Sequence, residues 1–412
     1  MIPRFSPYFR LRDFKHFFKF NNSSIESFMT KFRLIFRINY VYPLPYGRSA
    51  LFDALKALKI ENSEVIISSY TCSVVAHAVV LSNNIPVFVD INPDTFNPNE
   101  EDVLIKIGPK TRAVVLSHTF GIPQNSKFIL EQIQSKEKEF GNKIWLINDC
   151  AHCFDAEIHN RPVYEYGDLA FFGLNISKNL TCIFGGVLAT NNHDLSLIFN
   201  EYFKLNKYRF SLRKEFRDRV YFSLVYFAFN PFLYRITFIL MKSSKKLRKF
   251  QENYHMDGQI RFPPDAKFQM SKFAAAIGVE QISKYKYFRN SRIENAKVYN
   301  SKLPQLQLNA KINILTSQIT YSHFPILVKD KFEFIEYFAK RGVEIGEVIQ
   351  YSIPELEEYS KFKNEDFPNA LYASRHTVNL PIMHSLENTI KIVKILEKKF
   401  AEEMHQPNSH PK

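Results

Sequence analysis

Three positions far apart in the chain carry residue types that could share one chemistry: a lysine at 178, an aspartate at 149 and a helix start at 47. Lys178 is the only basic residue in GDLAFFGLNISKNLTCIFGGVLAT, residues 167–190. It stands between two short apolar runs, LAFFGL and CIFGGVLAT, each bounded by turn-formers and each expected to be a buried strand. A lysine held close to a low-dielectric interior sheds its proton more readily and becomes a nucleophile, which is the state that Schiff-base chemistry requires. Gly185 and Gly186 lack side chains and let another group approach the backbone. Taken alone, the same lysine reads as a solvated surface residue, and only its company can overturn that.

Asp149 ends the apolar run IWLIND and is followed by Cys150, Ala151 and His152. A carboxylate at a buried strand end needs a partner, because burying it unpaired costs several kcal/mol. The protonated ring nitrogen of a pyridinium is a suitable one, and His152 could hydrogen-bond or cover the same ring. The plainer alternative is an aspartate that caps the next turn. In GRSALFDALKAL, Gly47 opens a helix whose first turn leaves backbone N–H groups free, an anion site by construction. Ser49 could add a hydroxyl and Arg48 a charge, against the alternative of an ordinary capped helix. Phosphate, ring nitrogen and aldehyde thus each have a candidate partner, and together they describe a site for pyridoxal phosphate. Cys150 and Cys153 form one C-x-x-C, which without a second pair reads as structural thiols, and no metal is expected.

The elements that must position these residues follow from the apolar runs. EVIISSY (64–70), PVFVDI (86–91), AVVLSHT (113–119) and IWLIND (144–149) alternate with helix-compatible segments, which predicts a parallel sheet covered on both faces. Ligands of such sheets bind beyond the carboxyl ends of the strands, which singles out Tyr70 to Cys72, His118 to Gly121 and Asp149 to His152. Towards the C-terminus, QMSKFAAAIGVEQISKYKYFRNSRIENAKVYNSKL has the pattern of long packed helices, and SHFPILVKDKFEFIEYFAKRGVEIG that of an α+β unit. HTVNLPI and SLENTIKIVKILEKKF are expected to be a last strand and a last helix.

The 412 residues carry a net charge of +14, but unevenly. Residues 1–40 hold eight Lys/Arg against two acids, and residues 204–250 hold thirteen against two, leaving a slightly acidic remainder. Basic excess confined to two segments speaks against a nucleic-acid binder. Four cysteines without a disulfide framework and no signal-peptide pattern point to a cytoplasmic setting. In residues 1–40, SIESFMTKFRLIFRI suggests an amphipathic helix suited to a docking arm, a partner-chain contact or a membrane surface. Residues 220–241 form an apolar run of 22, long enough to span a bilayer but interrupted by Asn230, Pro231 and Arg235. Its basic flanks fit a segment lying on an anionic membrane surface, with a helical hairpin packed on the core or across a dimer interface as the competing reading.

From YGRSALFDAL through EVIISSYTC, PVFVDINPDTFN, LSHTFGIP, NDCAH, GDLAFFGLNISK, GGVLAT, QMSKFAAAIGVEQ, RGVEIG and NLPIMHSL, the chain resembles the DegT/DnrJ/EryC1/StrS family of sugar aminotransferases, within fold type I of the pyridoxal-phosphate enzymes. The landmarks keep the family's order from about residue 45 to 400. The resemblance implies an α/β large domain (41–203) with a mostly parallel seven-stranded sheet between helices, and a smaller α+β C-terminal domain with long helices (261–400). These join a basic aromatic arm (1–40), a basic and apolar insert (204–260) and a disordered tail (401–412). It makes Lys178 the Schiff-base lysine and proton-transfer base, and Asp149 the partner of the pyridinium nitrogen. His152 would lie near the ring hydroxyl, and the backbone at Gly47, Arg48 and Ser49 would hold the phosphate. Three positions depart from the family. Gly173 stands where a phosphate-binding serine is usual, and Lys267 where a partner subunit often sends an asparagine. Cys72 stands where a stacking aromatic is common, with Tyr70 as substitute. The implied activity is transfer of an amino group, from glutamate, to a nucleotide-linked keto-sugar by a homodimer, for surface polysaccharide or glycoconjugate synthesis. Alternatives are a keto-sugar dehydratase using the same cofactor and an inactive membrane-surface protein on the same fold. Independently of the resemblance, cysteine usage and the basic apolar segment lead to an expected cytoplasmic setting with peripheral attachment at the inner face of the cell membrane through residues 204–250.

Overall fold

The computed structural model describes residues 1–18, 23–243, 258–303 and 317–405. Its centre is a seven-stranded sheet built from β1 (Tyr40–Leu44), β2 (Glu64–Ser68), β3 (Ile85–Val89), β4 (Thr111–Ser117) and β5 (Trp145–Asp149), with β8 (Leu169–Gly173) and β9 (Gly186–Thr190), in the order β1-β9-β8-β5-β4-β2-β3. Two-residue strands β6 (Glu157–Ile158) and β7 (Arg161–Pro162) pair with β10 (Ser317–Gln318) in a separate ribbon. The β2, β3, β4, β5 and β8 ladders are parallel. Only β9 runs against the rest, since it is antiparallel to both β8 and β1.

Continuous apolar runs form these strands because both faces are covered. Val65 and Ile67 pack into the layer holding α2 (Gly47–Ala57) and α3 (Ser73–Leu81), while Ile66 between them packs against α4 (Glu100–Lys106) and α5 (Ser126–Phe140). A third cluster buries Phe28, Phe32 and Phe36 of α1 (Ser24–Phe36) against Phe172 of β8. The apolar stripe of the amphipathic N-terminal helix is therefore spent on the chain's own core rather than on a membrane. After α6 (His193–Leu205) come α7 (Leu212–Ala228), α8 (Tyr234–Ser243) and the 31-residue α9 (Lys272–Lys302). The C-terminal part pairs β11 (Phe324–Leu327) with β12 (Thr377–Leu380) and adds α10 (Lys331–Lys340), α11 (Pro368–His376) and α12 (Leu386–His405). The last helix continues to His405, past the expected start of the tail at 401; residues 406–412 lie outside the described residues.

Three features of these elements are set by the structure. The strand foreseen over Cys182–Thr190 begins only at Gly186, because Ile183 is left-handed (φ 74°) and turns the chain before it pairs. YVYPL becomes a strand despite Pro43, which is tolerated because β1 is an edge strand. The apolar run 220–241 is split at Asn230–Pro231 between α7 and α8, and no helix among the described residues is long and apolar enough to cross a membrane.

The reversed direction of β9 has a positional consequence. Gly173 at the end of β8 faces Gly186 at the start of β9, and Leu44 at the end of β1 faces Gly186 from the other side. The connection from β8 to β9, the Tyr46–Gly47 link and the end of β5 therefore share the carboxyl edge. A Cβ on Gly186 would stand 2.3 Å from the Tyr46 carbonyl carbon and 2.4 Å from the Gly47 nitrogen, and neither backbone atom can give way. At Gly173 a Cβ would meet only Ala151 Cβ at 3.4 Å and Lys178 Cε at 3.7 Å, ordinary contacts. Gly186→Ala is expected to lower unfolding stability by about 2–3 kcal/mol or more, as overpacking against rigid backbone does, while Gly173→Ala stays within about 1 kcal/mol of wild type. Denaturant midpoints of the two variants measure the contrast, and equal losses would contradict this packing.

Candidate active site

Lys178 sits in the loop Leu174–Gly185 that carries β8 into β9. Its ends are tied by the Leu174 N–H to the Gly185 carbonyl (3.0 Å) and the Cys182 N–H to the Leu174 carbonyl (2.9 Å). Inside the loop, the Asn175 side chain accepts from the N–H and hydroxyl of Ser177 (3.2 and 2.9 Å), and the Lys178 N–H donates to the Asn175 carbonyl (3.2 Å). This tight turn holds Lys178 at 8% exposure. Burial lowers the pKa of its amine, and the nearby Cys72 and Asp149 partly oppose that effect.

Asp149, the last residue of β5, is equally buried. Its Oδ1 accepts the Ala151 N–H at 3.0 Å. Burial pushes its carboxyl up to about 6, against the opposing pull of that N–H and of Lys178. No salt bridge joins Lys178 and Asp149 among the described residues, although each feels the other's charge. The acid is thus desolvated without a full counter-charge, as expected of a group waiting for a cationic partner.

His152 borders the same space. Its Nδ1 accepts the Phe120 N–H at 3.2 Å, which requires the neutral form with that nitrogen unprotonated. Burial, Lys178 and His323 drive its pKa well down. The Phe120 ring lies nearly parallel to it at 6.3 Å, and the His323 ring is 5.2 Å away. Asn179, next to Lys178, donates its amide to the His152 carbonyl at 3.1 Å. Gly47 completes the edge: a Cβ there would come within 3.1 Å of Gly173 Cα, so the start of α2 lies directly on the end of β8.

Lys178, Asp149, His152, Gly173, Gly47 and Cys72 are thereby brought to one edge of the sheet, with Cys72 at the N-cap of α3. Ser49 is buried and hydrogen-bonds Tyr208, and Arg48 lies over the Tyr46 ring at 5.6 Å. Tyr70 is not presented to this cluster: its ring is fully buried beside Phe96 and Phe120, and its hydroxyl donates to the Ile349 carbonyl at 3.3 Å. Lys267 is exposed, and its carbonyl accepts the Arg209 N–H at 3.4 Å. His118, Cys150 and Cys153 place ligand atoms within 4.8 Å of one another. Both His118 nitrogens are nevertheless engaged, Nε2 with Asn148 Oδ1 (3.0 Å) and Nδ1 with the Gln124 N–H (2.9 Å).

Sequence reasoning missed Phe120 as the ring beside His152, and it missed His323, Asn179 and Arg292. His323 carries no signal in the sequence beyond its place at the start of an apolar run. Arg292 was legible in principle, because it falls in step with the buried positions Phe288, Asn295, Ala296 and Tyr299 of α9, where a charge is out of place.

The arrangement fits pyridoxal phosphate. A helix N-terminus without side-chain obstruction at Gly47 and Gly173 suits a phosphate, the underpaired Asp149 suits a protonated ring nitrogen, and Lys178, its basicity lowered by burial, suits an aldehyde.

Comparison with known proteins agrees. The family model of the DegT/DnrJ/EryC1/StrS aminotransferase family matches residues 17–397. An uncharacterised protein of Methanocaldococcus jannaschii is 25% identical over 390 residues, covering 89% of each chain. The dTDP-4-amino-4,6-dideoxy-D-glucose transaminase of Shigella dysenteriae is 23% identical over 365 residues, 86% of this chain and 83% of that one. Among solved structures, the pyridoxal-phosphate form of a putative sugar aminotransferase from Streptococcus pneumoniae superposes with a TM-score of 0.75 at 18% identity, covering 98% of this chain and 99% of that one.

The elevated carboxyl of Asp149 sets a pH signature for protein stripped of cofactor. With the folded pKa near 6 and the unfolded one near 3.8, folding favours the protonated acid. Stability from this group is complete below about pH 4 and is lost as pH rises through 6. Asp149→Asn is expected to stabilise the cofactor-free protein at pH 8 by on the order of 2 kcal/mol, with the gain vanishing near pH 4. Thermal denaturation of both proteins across that range reads the difference, and a gain that grew towards acid pH would contradict it.

Proposed function

Because the chain belongs to the DegT/DnrJ/EryC1/StrS aminotransferase family, whose members use pyridoxal phosphate, we propose that it moves an amino group from glutamate onto a nucleotide-linked keto-sugar for surface polysaccharide or glycoconjugate synthesis. The observation that carries this reading is the meeting of a buried lysine and a buried, underpaired carboxylate at the carboxyl edge of one sheet. The Shigella relative's name, a transaminase of a dTDP-linked sugar, favours the nucleotide-linked acceptor.

When bound, pyridoxal phosphate supplies an electron sink for the carbon that gains or loses the amino group. In this reading Lys178 holds the cofactor and carries the proton between carbon atoms, and burial lowers its basicity in the direction that favours the neutral amine. Asp149 keeps the ring nitrogen protonated, since a carboxylate raised by burial regains its charge beside a cation. His152 covers the ring. The N–H groups at Gly47, Arg48 and Ser49 take the phosphate, and Gly173 leaves room where relatives have a serine. Lys267, exposed on its own subunit, is assigned to a partner's phosphate in a homodimer.

A second surface supports attachment to an anionic membrane. The first half of helix α7 is inside out, whereas Tyr221, Phe222 and Val225 farther along pack inwards. Lys214, Glu215, Asp218 and Arg219 are buried, while Leu212, Phe216, Val220, Leu224 and Phe227 form an exposed stripe. The buried charges are used: Glu215 pairs with Arg219 (2.7 Å) and accepts the Lys272 N–H at the start of α9, and Asp218 accepts the Ser271 hydroxyl (2.7 Å). On α8 and just before it, Phe232, Leu233, Ile236, Ile239 and Leu240 extend the apolar face. Lys207, Arg209, Arg213, Arg235 and Lys242 are exposed around it. Apolar side chains ringed by cations suit an anionic lipid surface.

Two measurements test these readings. Holoenzyme mixed with glutamate is expected to lose the absorbance of its lysine-bound cofactor, whereas Lys178→Ala lacks that absorbance from the outset and transfers amino groups at least about 1,000-fold more slowly. Wild type inert to every amino donor, or a Lys178 variant keeping the band, would refute the assignment. Separately, co-sedimentation with phosphatidylglycerol vesicles is expected to weaken with salt, and to fall about tenfold or more in the Leu224→Glu/Ile236→Glu double variant without loss of activity. Unchanged binding would remove the membrane proposal, and a shift in oligomeric state instead would assign the face to a second copy of the chain.

A further inference from the structure

The inner side of α7 reaches both halves of the candidate site. Its Tyr221, Phe222 and Val225 share a buried apolar cluster with Ile176 and Ile183 of the lysine loop, and Phe184 of that loop packs against the same cluster. The Tyr221 and Phe184 rings lie 4.8 Å apart. One turn earlier on α7, the Arg217 guanidinium also lies over the Phe184 ring, at 4.8 Å. The same guanidinium donates through Nη1 to Asp265 (2.6 Å) and through Nε and Nη2 to Asp218 (3.0 and 2.7 Å). Asp265 in turn accepts the Tyr46 hydroxyl on both oxygens (2.7 and 2.8 Å), and Asp218 accepts the hydroxyl of Ser271, the N-cap of α9 (2.7 Å).

Tyr46 is the N-cap of α2, one residue before Gly47. Strand pairing does not hold it: the β1–β9 ladder ends at Leu44 opposite Gly186, and Pro45 has no N–H with which to extend it. The close contact of Tyr46 and Gly47 with Gly186 is a steric limit, which stops approach without supplying attraction. Attraction comes from the Tyr46 side chain. Its ring meets that of Phe184 edge-on at 6.3 Å and carries the Lys214 ammonium at 5.1 Å, and its hydroxyl is fixed by Asp265. Burial by itself would raise the Asp265 carboxyl, but Lys214, Arg217 and the Tyr46 hydroxyl bring it below its ordinary value. The acid is therefore held charged, and a charged acceptor makes the stronger hydrogen bond to Tyr46.

We propose that Arg217 is a positioning residue that sets the phosphate-binding start of α2 against the lysine loop. It touches Phe184 on one side and, through Asp265, Tyr46 on the other, and its planar fork fixes both directions at once. A cofactor gripped at its phosphate by α2 and at its aldehyde by Lys178 is bound twice, and the second grip helps only where the two stand at the spacing the molecule spans. Gly173 has no hydroxyl to offer the phosphate, which leaves more of that grip to the helix start. The inference rests on the reading of Lys178 as the cofactor-bearing amine and adds the group that fixes its spacing from the phosphate site.

The test separates the two grips. Full-length protein stripped of cofactor is titrated with pyridoxal phosphate and with pyridoxal, which lacks the phosphate, and the absorbance of the lysine-bound aldehyde reports each affinity. Wild type is expected to favour the phosphorylated form by about 100-fold or more, and Arg217→Met to narrow that preference to within about tenfold, with pyridoxal affinity changed by no more than about twofold. Arg217→Lys, which keeps the charge but loses the fork, is expected to fall between the two. Tyr46→Phe keeps the ring and deletes only the hydroxyl; it is expected to lower the preference by about threefold or more, and the double variant to match Arg217→Met alone, since both act through Asp265. A preference left intact in Arg217→Met, or both aldehydes weakened alike, would make Arg217 a purely structural tie and overturn the proposal, as would losses that add in the double variant. Should Arg217→Met not fold, Tyr46→Phe decides by the same ratio. A wild type that forms no lysine-bound absorbance with either aldehyde fails on the reading of Lys178, and the proposal falls with it. Failure of the proposal alone shows only in the variants.

Discussion

The contact of three backbones at Gly186 is the constraint on which the site depends. The end of β1, the end of β8 and the start of β9 converge there, and the Tyr46–Gly47 peptide lies so close that no side-chain carbon fits. Because β9 runs against its neighbours, the loop that carries Lys178 turns back at the carboxyl edge instead of crossing to the far end of the sheet. The start of α2 is pinned to the same place. A reversal of one strand thereby gathers an anion-binding helix start, a lysine and the terminal acid of β5 around one volume.

Electrostatics in that volume follow from dryness rather than from paired charges. Lys178 and Asp149 are both shifted towards their neutral forms, each chiefly by burial and each only partly rescued by the other. His152 and His323 are kept uncharged by the same burial and by the lysine. Such a site is costly while its charges are unanswered and becomes favourable when a ring cation and anionic groups enter, so binding and stability are coupled. Arg292 extends the pattern into α9.

The segment 204–243 has two roles for one reason. The charged face of α7 caps the start of α9 through Glu215 and Asp218, and it reaches Tyr46, whose hydroxyl donates to Asp265 at 2.7 Å, itself paired with Lys214 and Arg217. With polar residues committed inwards over its first turns, Leu212, Phe216 and Val220 are left outside, while Tyr221, Phe222 and Val225 still pack inwards. Residues that would form a core in a hairpin packed the usual way are left facing outward, ringed by cations.

The strands β2 to β5 and β8 were legible because burial on both faces writes them as unbroken apolar runs between turn-formers. The ordering of Lys178, Asp149 and Gly47 along the chain followed from the same runs. The division of labour on α7 was not legible, since composition counts charges without saying which face they take. Arg292, His323 and Phe120 come from three elements distant in sequence, and only packing brings them beside the lysine loop. Tyr70 shows the converse, a residue matched by position whose side chain the fold turns elsewhere. The sequence by itself determined which residues could do chemistry and that a two-sided sheet would present them. The tertiary structure alone decided which of them meet, because the reversal of β9 and the burial of each charge are set by contacts between segments that no local pattern encodes.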